Sequence, residues 1–400
     1  MFFYLLSERQ ALIDKGQGGA QPNISQEVIK AHPIVIAPLA EQRRIVAKLE
    51  TLMGSINAYL ERLAKIPVVL KRFRQAVLAA ACSGELTVDW RVQNPDVETS
   101  SVTIARLLEK HEAAGGHKKG NAAPPTNGVH DLEKTSFPES WELTEMKNLC
   151  EPDRPITYGI LKPGPDTPDG VPYIRVADFP NDTLRLTNIK RTTKEIDSAY
   201  ARARLRTDDL LLSIRGTVGR VCIIPAELSG ANITQDSARL SIQEAMDLRF
   251  VAYFLRAVPT QHRMQRAVKG VAIRDINIGD VRALQVPVPP LAEQQEIVRR
   301  VETLFNLADQ IEARYQRAKP LVDKLPQSIL AKAFRGELVP TEAELARREG
   351  RDFEPASVLL ERIRSERAEH AQGRKGKAMS QPKPTRTRKR EGSGISLETD

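Results

Sequence analysis

The sequence predicts an α+β protein, a mixed α/β globular segment joined to long helices that pair as a coiled coil, and three observations predict it. One segment occurs twice: Pro38-Leu39-Ala40-Glu41-Gln42 returns as Pro290-Leu291-Ala292-Glu293-Gln294, 252 residues later. Both copies carry apolar residues at the 4,3 spacing of a helical seam. Between them run short apolar stretches divided by turns rich in Gly, Pro, Asn and Asp, the pattern of strands and hairpins.

The register of the repeat holds without a gap from Pro38 to Leu86 against Pro290 to Leu338, with 18 of 49 aligned positions identical. Upstream, Gly18, Ala20, Ile24 and Ala31 stand opposite Gly270, Ala272, Ile276 and Ala283. Downstream, Ser101 to Leu107 parallels Ser357 to Ile363 at an offset of 256. One unit therefore spans about 250 residues, as internal repetition requires. The globular segment that opens near Phe137 has its counterpart 252 residues earlier, ahead of Met1. Residues 1–37 are thus expected to be the last strand or turn of a first globular copy, N-terminally truncated. Phe2, Phe3, Leu5 and Leu6 would lack their core, so low stability is expected there.

Residues 38–90 form the first helical region. Ile45, Leu49, Leu52, Ile56, Tyr59, Leu63 and Ile66 follow spacings of 4 and 3, and Pro38 suits a helix start. Pro67 is expected to break the rod, with Gln75 to Ala81 helical again before a stop at Gly84. Residues 91–136 read as a short helix and a flexible linker. Residues 137–289 are the globular segment. There Leu210, Leu212 and Ile214 alternate with outward positions, Gly216-Thr217-Val218-Gly219 turns the chain into Val221 to Ile224, and Phe250 to Leu255 begins a helix. Residues 290–340 repeat the helical region, with Ile297, Val301, Leu304, Ala308, Ile311, Tyr315 and Ala318 on the seam and breaks expected at Pro320 and Pro326. An apolar seam needs a mate, and two such helices in one chain can pair; packing of each helix on its own globular neighbour is the alternative. Residues 341–370 hold a short helix. Residues 371–400 carry eight basic and three acidic residues, so this tail supplies +5 of the net charge of +9 and reads as disordered and attracted to polyanions.

Composition narrows the function. Apolar residues make up 41% and charged residues 28% of the 400, ordinary for a globular protein. No stretch is apolar for long enough to cross a bilayer, and the opening Phe2 to Leu6 meets Glu8 and Arg9 too early for a signal peptide; a cytoplasmic protein is expected. Cys82, Cys150 and Cys222 lack metal-ligand spacing and read as buried hydrophobes, so no metal site is expected. No nucleotide-binding loop, zinc-protease pair or Asp/Asn-Pro-Pro-aromatic tetrapeptide occurs. Nothing in the sequence points to catalysis.

What the globular segment does offer is cationic and amide side chains beside tight turns: Arg175, Arg215, Thr217, Arg220, Asn232 and Gln235. Arg can bridge guanine, and Asn and Gln can bridge adenine. Taken singly, each is also explained as a solvated surface residue. Aromatics at 5% argue against a stacking platform for single strands, so a duplex fits better.

These features together resemble the specificity subunit of type I restriction-modification systems. The likeness is carried by the Pro-Leu-Ala-Glu-Gln openings, the Gly-Glu-Leu ends at 84 and 336, and Gly18 to Ser25. In the globular part it rests on Gly170 to Arg175, Leu212 to Gly219 and Asn232 to Asp236. The resemblance implies a target recognition domain at 137–289 that reads one half of a double-stranded DNA site, and an antiparallel spacer made by the two helical regions. It further implies partners: methyltransferase (modification) subunits that bring S-adenosylmethionine, a restriction subunit that brings ATP and Mg²⁺ chemistry, or a second copy of this chain. The chain itself would hold no cofactor and do no catalysis. The family's full subunit has two recognition domains, and this sequence holds one and a remnant. A coiled-coil dimeric DNA-binding regulator and a non-catalytic scaffold are the rival readings.

Overall fold

The computed structural model describes residues 1–16, 24–115, 137–268 and 274–379. Most of Gly18 to Ser25, Gly270 and Ala272, most of the linker, and the tail beyond Met379 lie outside the described residues. The first helices are α1 (Phe2–Ser7), α2 (Arg9–Asp14), α3 (Gln26–Ala31), α4 (Leu39–Ser83), α5 (Val88–Gln93) and α6 (Ser100–Ala113). Then follow β1 (Glu142–Glu145), α7 (Met146–Leu149), β2 (Thr157–Tyr158), β3 (Val171–Ile174), β4 (Lys190–Thr192), α8 (Lys194–Ala199), β5 (Leu210–Ser213), β6 (Val221–Ile223), β7 (Asn232–Ile233) and β8 (Ser237–Leu240). The last are α9 (Leu248–Arg256), α10 (Val258–Ala267), α11 (Ile278–Ala283), β9 (Gln285–Val288), α12 (Leu291–Phe334), α13 (Glu342–Glu349) and α14 (Ala356–Met379). These elements divide into two compact units, one of residues 65–315 and one of residues 1–64 with 316–400.

In the 65–315 unit, a four-stranded sheet of order β2-β8-β5-β6 lies with a three-stranded sheet β4-β3-β7 and a two-stranded ribbon β1-β9. The hairpin expected from the glycine turn is β5 and β6, paired Leu210 to Ile223 through Leu212 to Val221. Its predicted alternation is corrected: all four residues of β5 are buried. The reason is a second core. Leu210, Leu212, Val221, Ala238 and Leu240 face a cluster that includes Trp141, Phe250 and Phe254. Leu211 and Cys222 face another cluster made with Ile174, Phe179 and Leu205. A strand covered on both faces shows a continuous apolar run rather than alternation.

The end of α4 and the start of α12 share the larger core through Val77, Leu78, Ala81, Ile297, Val298 and Val301. Arg74 reaches Asp309 at 2.6 Å and Glu312 at 2.7 Å, so residue numbers rise along one helix as they fall along the other. This is antiparallel pairing. A single buried carboxylate organises the junction: Glu293 Oε1 accepts from Thr87 Oγ1 at 2.7 Å and Arg91 at 2.5 Å, and Oε2 from Trp141 Nε1 at 2.9 Å.

In the other unit, Ile45 and Leu49 of α4 bury against Leu330 and Ala333 of α12, again antiparallel, with Phe3 and Phe334 alongside. Where a last strand or turn was expected, the described residues of 1–37 hold three short helices and, from Pro33 to Pro38, a run without regular structure. The repeat itself explains this, because α3 stands 252 residues before α11, with N-cap Ser25 opposite N-cap Asn277. Tyr4 is buried, its hydroxyl donating to the Pro33 carbonyl at 2.8 Å and its ring edge-on to Phe334 at 5.0 Å.

The prolines are a second correction. Both long helices run unbroken, α4 through Pro67 and α12 through Pro320 and Pro326. An interior proline removes one hydrogen bond and crowds the carbonyl four residues back, a cost of about 3 kcal/mol. Apolar positions continue in phase past Pro67, at Ile66, Leu70, Phe73 and Val77, so side-chain burial on both sides holds the helix together. Both helices then stop at the expected glycines, Gly84 (φ +84) and Gly336 (φ +76). Along the seams Ile45, Leu49, Ile56, Ile297, Val301, Ala308 and Tyr315 are buried and Leu52, Leu63 and Leu304 half-buried. Tyr59 and Ile311 are exposed. At that turn of α12 the inward positions shift to Ala308, Glu312 and Tyr315, and Glu312 takes Arg74 where Ile311 was expected.

Helix α14 continues to Met379, past the residue at which the tail was expected to begin.

Candidate nucleic-acid interface

The β5–β6 turn is locked from within. Ser213 Oγ donates to the Thr217 carbonyl at 2.5 Å and accepts from the Arg220 N–H at 2.8 Å, while the Gly219 N–H donates to the Ser213 carbonyl at 2.9 Å. Gly219 has φ +99, and a Cβ there would stand 2.2 Å from Gln261 Oε1, so only glycine fits. The Ile214 N–H donates to the Asp236 carbonyl and the Gly216 N–H to the Arg274 carbonyl, each at 2.8 Å. A rigid turn thereby presents Thr217, exposed, and Arg215, half-exposed.

Arg215 and Gln235 come together in one open cleft of about 360 Å³, whose walls include Tyr158, Ile214, Asp275 and Asn277. The Arg215 guanidinium is 3.6 Å from Asp275, too long for a committed hydrogen bond. The Gln235 side-chain amide has no partner among the described residues, while its backbone N–H is held by the Ile160 carbonyl at 2.9 Å. A guanidinium held in this cleft only by an ion pair of 3.6 Å to Asp275, beside a carboxamide with no partner among the described residues, offers the groups that read guanine and adenine edges. Sequence reasoning missed Tyr158, Asp275 and Asn277, which come from distant segments.

Arg220 and Arg175 are more constrained. Arg220 Nη1 donates to the Val176 carbonyl at 3.2 Å, tying the hairpin to the turn after β3. Arg175 donates twice to Asp178, at 3.0 and 2.6 Å, and that carboxylate holds the guanidinium above its ordinary pKa. Arg175 keeps one face toward solvent.

Asn232 is a correction. It is fully buried; its amide donates to Asp197 at 2.8 Å and Tyr200 at 3.3 Å, and its Oδ1 accepts the Ile233 N–H at 2.9 Å. With every group spent inside, it fastens β7 to the end of α8 and cannot touch a base.

A second cleft, of about 570 Å³, was not foreseen. Arg154, Arg202, Arg204, Arg206, Arg239 and Arg282 line it. Three have carboxylate partners: Arg154 pairs with Asp209 through two bonds of 2.9 Å, Arg204 with Asp197, and Arg206 with Glu151 at 3.4 Å. Arg202 lies over the Tyr158 ring at 5.9 Å, and Arg282 donates to the Ile156 carbonyl at 2.6 Å. Arg239 donates to the Pro155 carbonyl at 3.0 Å but its Nε, buried, has no partner. Burial, and then the neighbouring Arg154, push its pKa down to about 10. The cleft is short of negative charge. Part of it was visible in Arg202-Ala203-Arg204-Leu205-Arg206, where arginines alternate with the buried Ala203 and Leu205. The other three arginines are assembled only by the fold.

Among the described residues no group of His, Cys, Asp or Glu is placed to hold a metal ion. All three cysteines are buried, and burial pushes each thiol up to about 12. Among the described residues no helix is long and apolar enough to cross a membrane.

Comparison with known proteins gives three findings. Residues 1–67 and 138–318 match the family described as the type I restriction modification DNA specificity domain. The chain is 36% identical over 351 residues to the type I restriction enzyme EcoBI specificity subunit of Escherichia coli, covering 86% of this chain and 67% of that protein. It is 30% identical to the EcoDI specificity subunit of the same species, covering 92% of this chain and 76% of that protein. The solved HsdS subunit from Thermoanaerobacter tengcongensis shares the fold with a TM-score of 0.50 at 20% identity, over 84% of this chain and 70% of that one.

Proposed function

Because the chain belongs to the family of type I restriction-modification DNA specificity domains, we propose that it reads a half-site in double-stranded DNA and serves as the scaffold for methyltransferase and restriction subunits. The observation that carries this reading is the meeting of Arg215, paired only at 3.6 Å with Asp275, and Gln235 in one open cleft beside a locked turn. The arginine-lined cleft supplies the other half of duplex binding. Its uncompensated cations suit backbone phosphates, which position a duplex while base edges specify it. The two clefts adjoin in sequence at Thr157 and Tyr158, and Arg202 lies over the Tyr158 ring.

In this reading the chemistry resides on partners: S-adenosylmethionine on the methyltransferase subunits, ATP and Mg²⁺ on the restriction subunit, in the cytoplasm. The antiparallel helices supply the docking scaffold. The deciding experiment expresses the chain with its methyltransferase subunits and maps methylation across the host genome. A defined motif that appears with the chain and is relaxed at one position with Arg215→Ala supports the reading. Methylation that is indifferent to the chain overturns it.

A further inference from the structure

Just past β5 and just ahead of α11 the chain makes an isolated antiparallel bridge, with Arg215 directly opposite Asp275. The Ile276 N–H donates to the Ile214 carbonyl at 2.9 Å and the Gly216 N–H to the Arg274 carbonyl at 2.8 Å, so backbone bonds on both sides fix the register. Arg215 and Asp275 themselves form the non-hydrogen-bonded pair, the kind in which opposed side chains stand closest and share a face. Both accordingly line the open cleft of about 360 Å³, 39% and 43% exposed, with the guanidinium and carboxylate 3.6 Å apart.

Asp275 is the one carboxylate among the described residues that line this cleft, and it accepts no hydrogen bond from them. Toward DNA a carboxylate is a liability, because a duplex carries one negative charge per ~1.7 Å and its sugar-phosphate backbone has no donor to offer. In the major groove the donors are cytosine N4 and adenine N6. The neighbour of Asp275 decides between them. A G·C pair shows two acceptors, guanine N7 and O6, followed by the cytosine N4 donor, whereas an A·T pair shows acceptor, donor, acceptor. Arg215 supplies two parallel donors and Asp275 an acceptor beside them. That order complements G·C. In A·T, T·A and C·G alike, the carboxylate would face an acceptor and one arginine N–H would face a donor.

We propose that Arg215 and Asp275 together read a single G·C pair, the guanidinium bonding guanine N7 and O6 and the carboxylate accepting from cytosine N4; this rests on the DNA reading above. A guanidinium has five N–H donors, so the ion pair orients it toward Asp275 and leaves the others for guanine. Asp275 supplies the repulsive half of the discrimination, which an arginine alone lacks.

The test uses the full chain assembled with its methyltransferase subunits. Its probes are a duplex carrying the motif mapped by methylation, the single-pair variants of that duplex, and a duplex without the motif, compared by competition. Arg215→Ala and Asp275→Ala are expected to act at the same G·C pair. There the native complex prefers G·C by about tenfold or more, and Asp275→Ala lowers that preference about tenfold while binding to the motif-free duplex stays equal or strengthens. N4-methylcytosine at that position replaces the exposed N4 hydrogen by a methyl group; it is expected to weaken the native complex about tenfold and leave Asp275→Ala unaffected. Circular dichroism of Asp275→Ala should match the native chain. A preference profile that Asp275→Ala leaves unchanged at every position overturns the proposal, as does action of the two variants at different pairs. Equal responses of both proteins to N4-methylcytosine also overturn it, since Asp275 would then only position Arg215. Each of these results leaves the chain-dependent motif in place, so the DNA reading survives them; absence of any such motif removes both.

Discussion

At the scale of single residues, Arg215 and Asn232 show how alike two polar side chains look in sequence and how differently they work. Arg215→Ala is expected to cost about 1–3 kcal/mol of specific DNA affinity and to relax the preference at one position, measured by competition between the cognate duplex and single-base variants. Asn232→Ala is expected to lower folding stability by about 1–3 kcal/mol in urea titration, because the Asp197 carboxylate and the Tyr200 carbonyl lose a buried donor, while the base preference of the folded fraction is unchanged. Both residues were legible as polar groups next to turns. Which one faces outward was not, because burial of Asn232 depends on α8, thirty-odd residues earlier, folding against β7. Asp275 and Asn277 were invisible for the same reason: their place in the cleft comes from a long-range bridge between Arg215 and Asp275.

At the scale of elements, the helical seam was readable because burial repeats at a fixed spacing, and the hairpin because glycine permits the turn. The prolines misled because a local rule was set against a nonlocal gain. Pro67→Ala is expected to raise the melting temperature, with up to about 3 kcal/mol regained from the restored backbone bond, as read by circular dichroism at 222 nm. The junction at the start of α12 responds to pH. Hydrogen bonds from Arg299 and then Arg300 hold the Glu296 carboxyl down at about 2 against its ordinary 4.5, and Arg300 also clamps Asp89 at 2.6 Å. A carboxyl depressed in the folded state stabilises above its unfolded value and loses that contribution as pH falls through the folded one. The stability gap between the native chain and Glu296→Gln should therefore be full above about pH 4.5 and close as pH falls toward about 2. A gap independent of pH in urea midpoints would show that the pair contributes nothing.

At the scale of the whole molecule, the arginine row and the reading cleft divide labour that salt can separate. Arg202→Ala is expected to weaken binding to all duplexes about equally and to reduce the slope of log affinity against log salt by about 1, whereas Arg215→Ala changes preference among sequences. The duplication was the most legible feature of the chain, since identical residues at a constant offset survive without any knowledge of packing. Both tryptophans, Trp90 and Trp141, fall in the 65–315 unit, and Trp141 is buried against the Glu293 carboxylate. Their emission is consequently a reporter of one unit alone, whereas helical ellipticity sums over both. Heating the chain while recording the two signals shows directly whether it melts as one cooperative body: coincident curves mean a single transition, and a fluorescence curve displaced from the ellipticity curve means two.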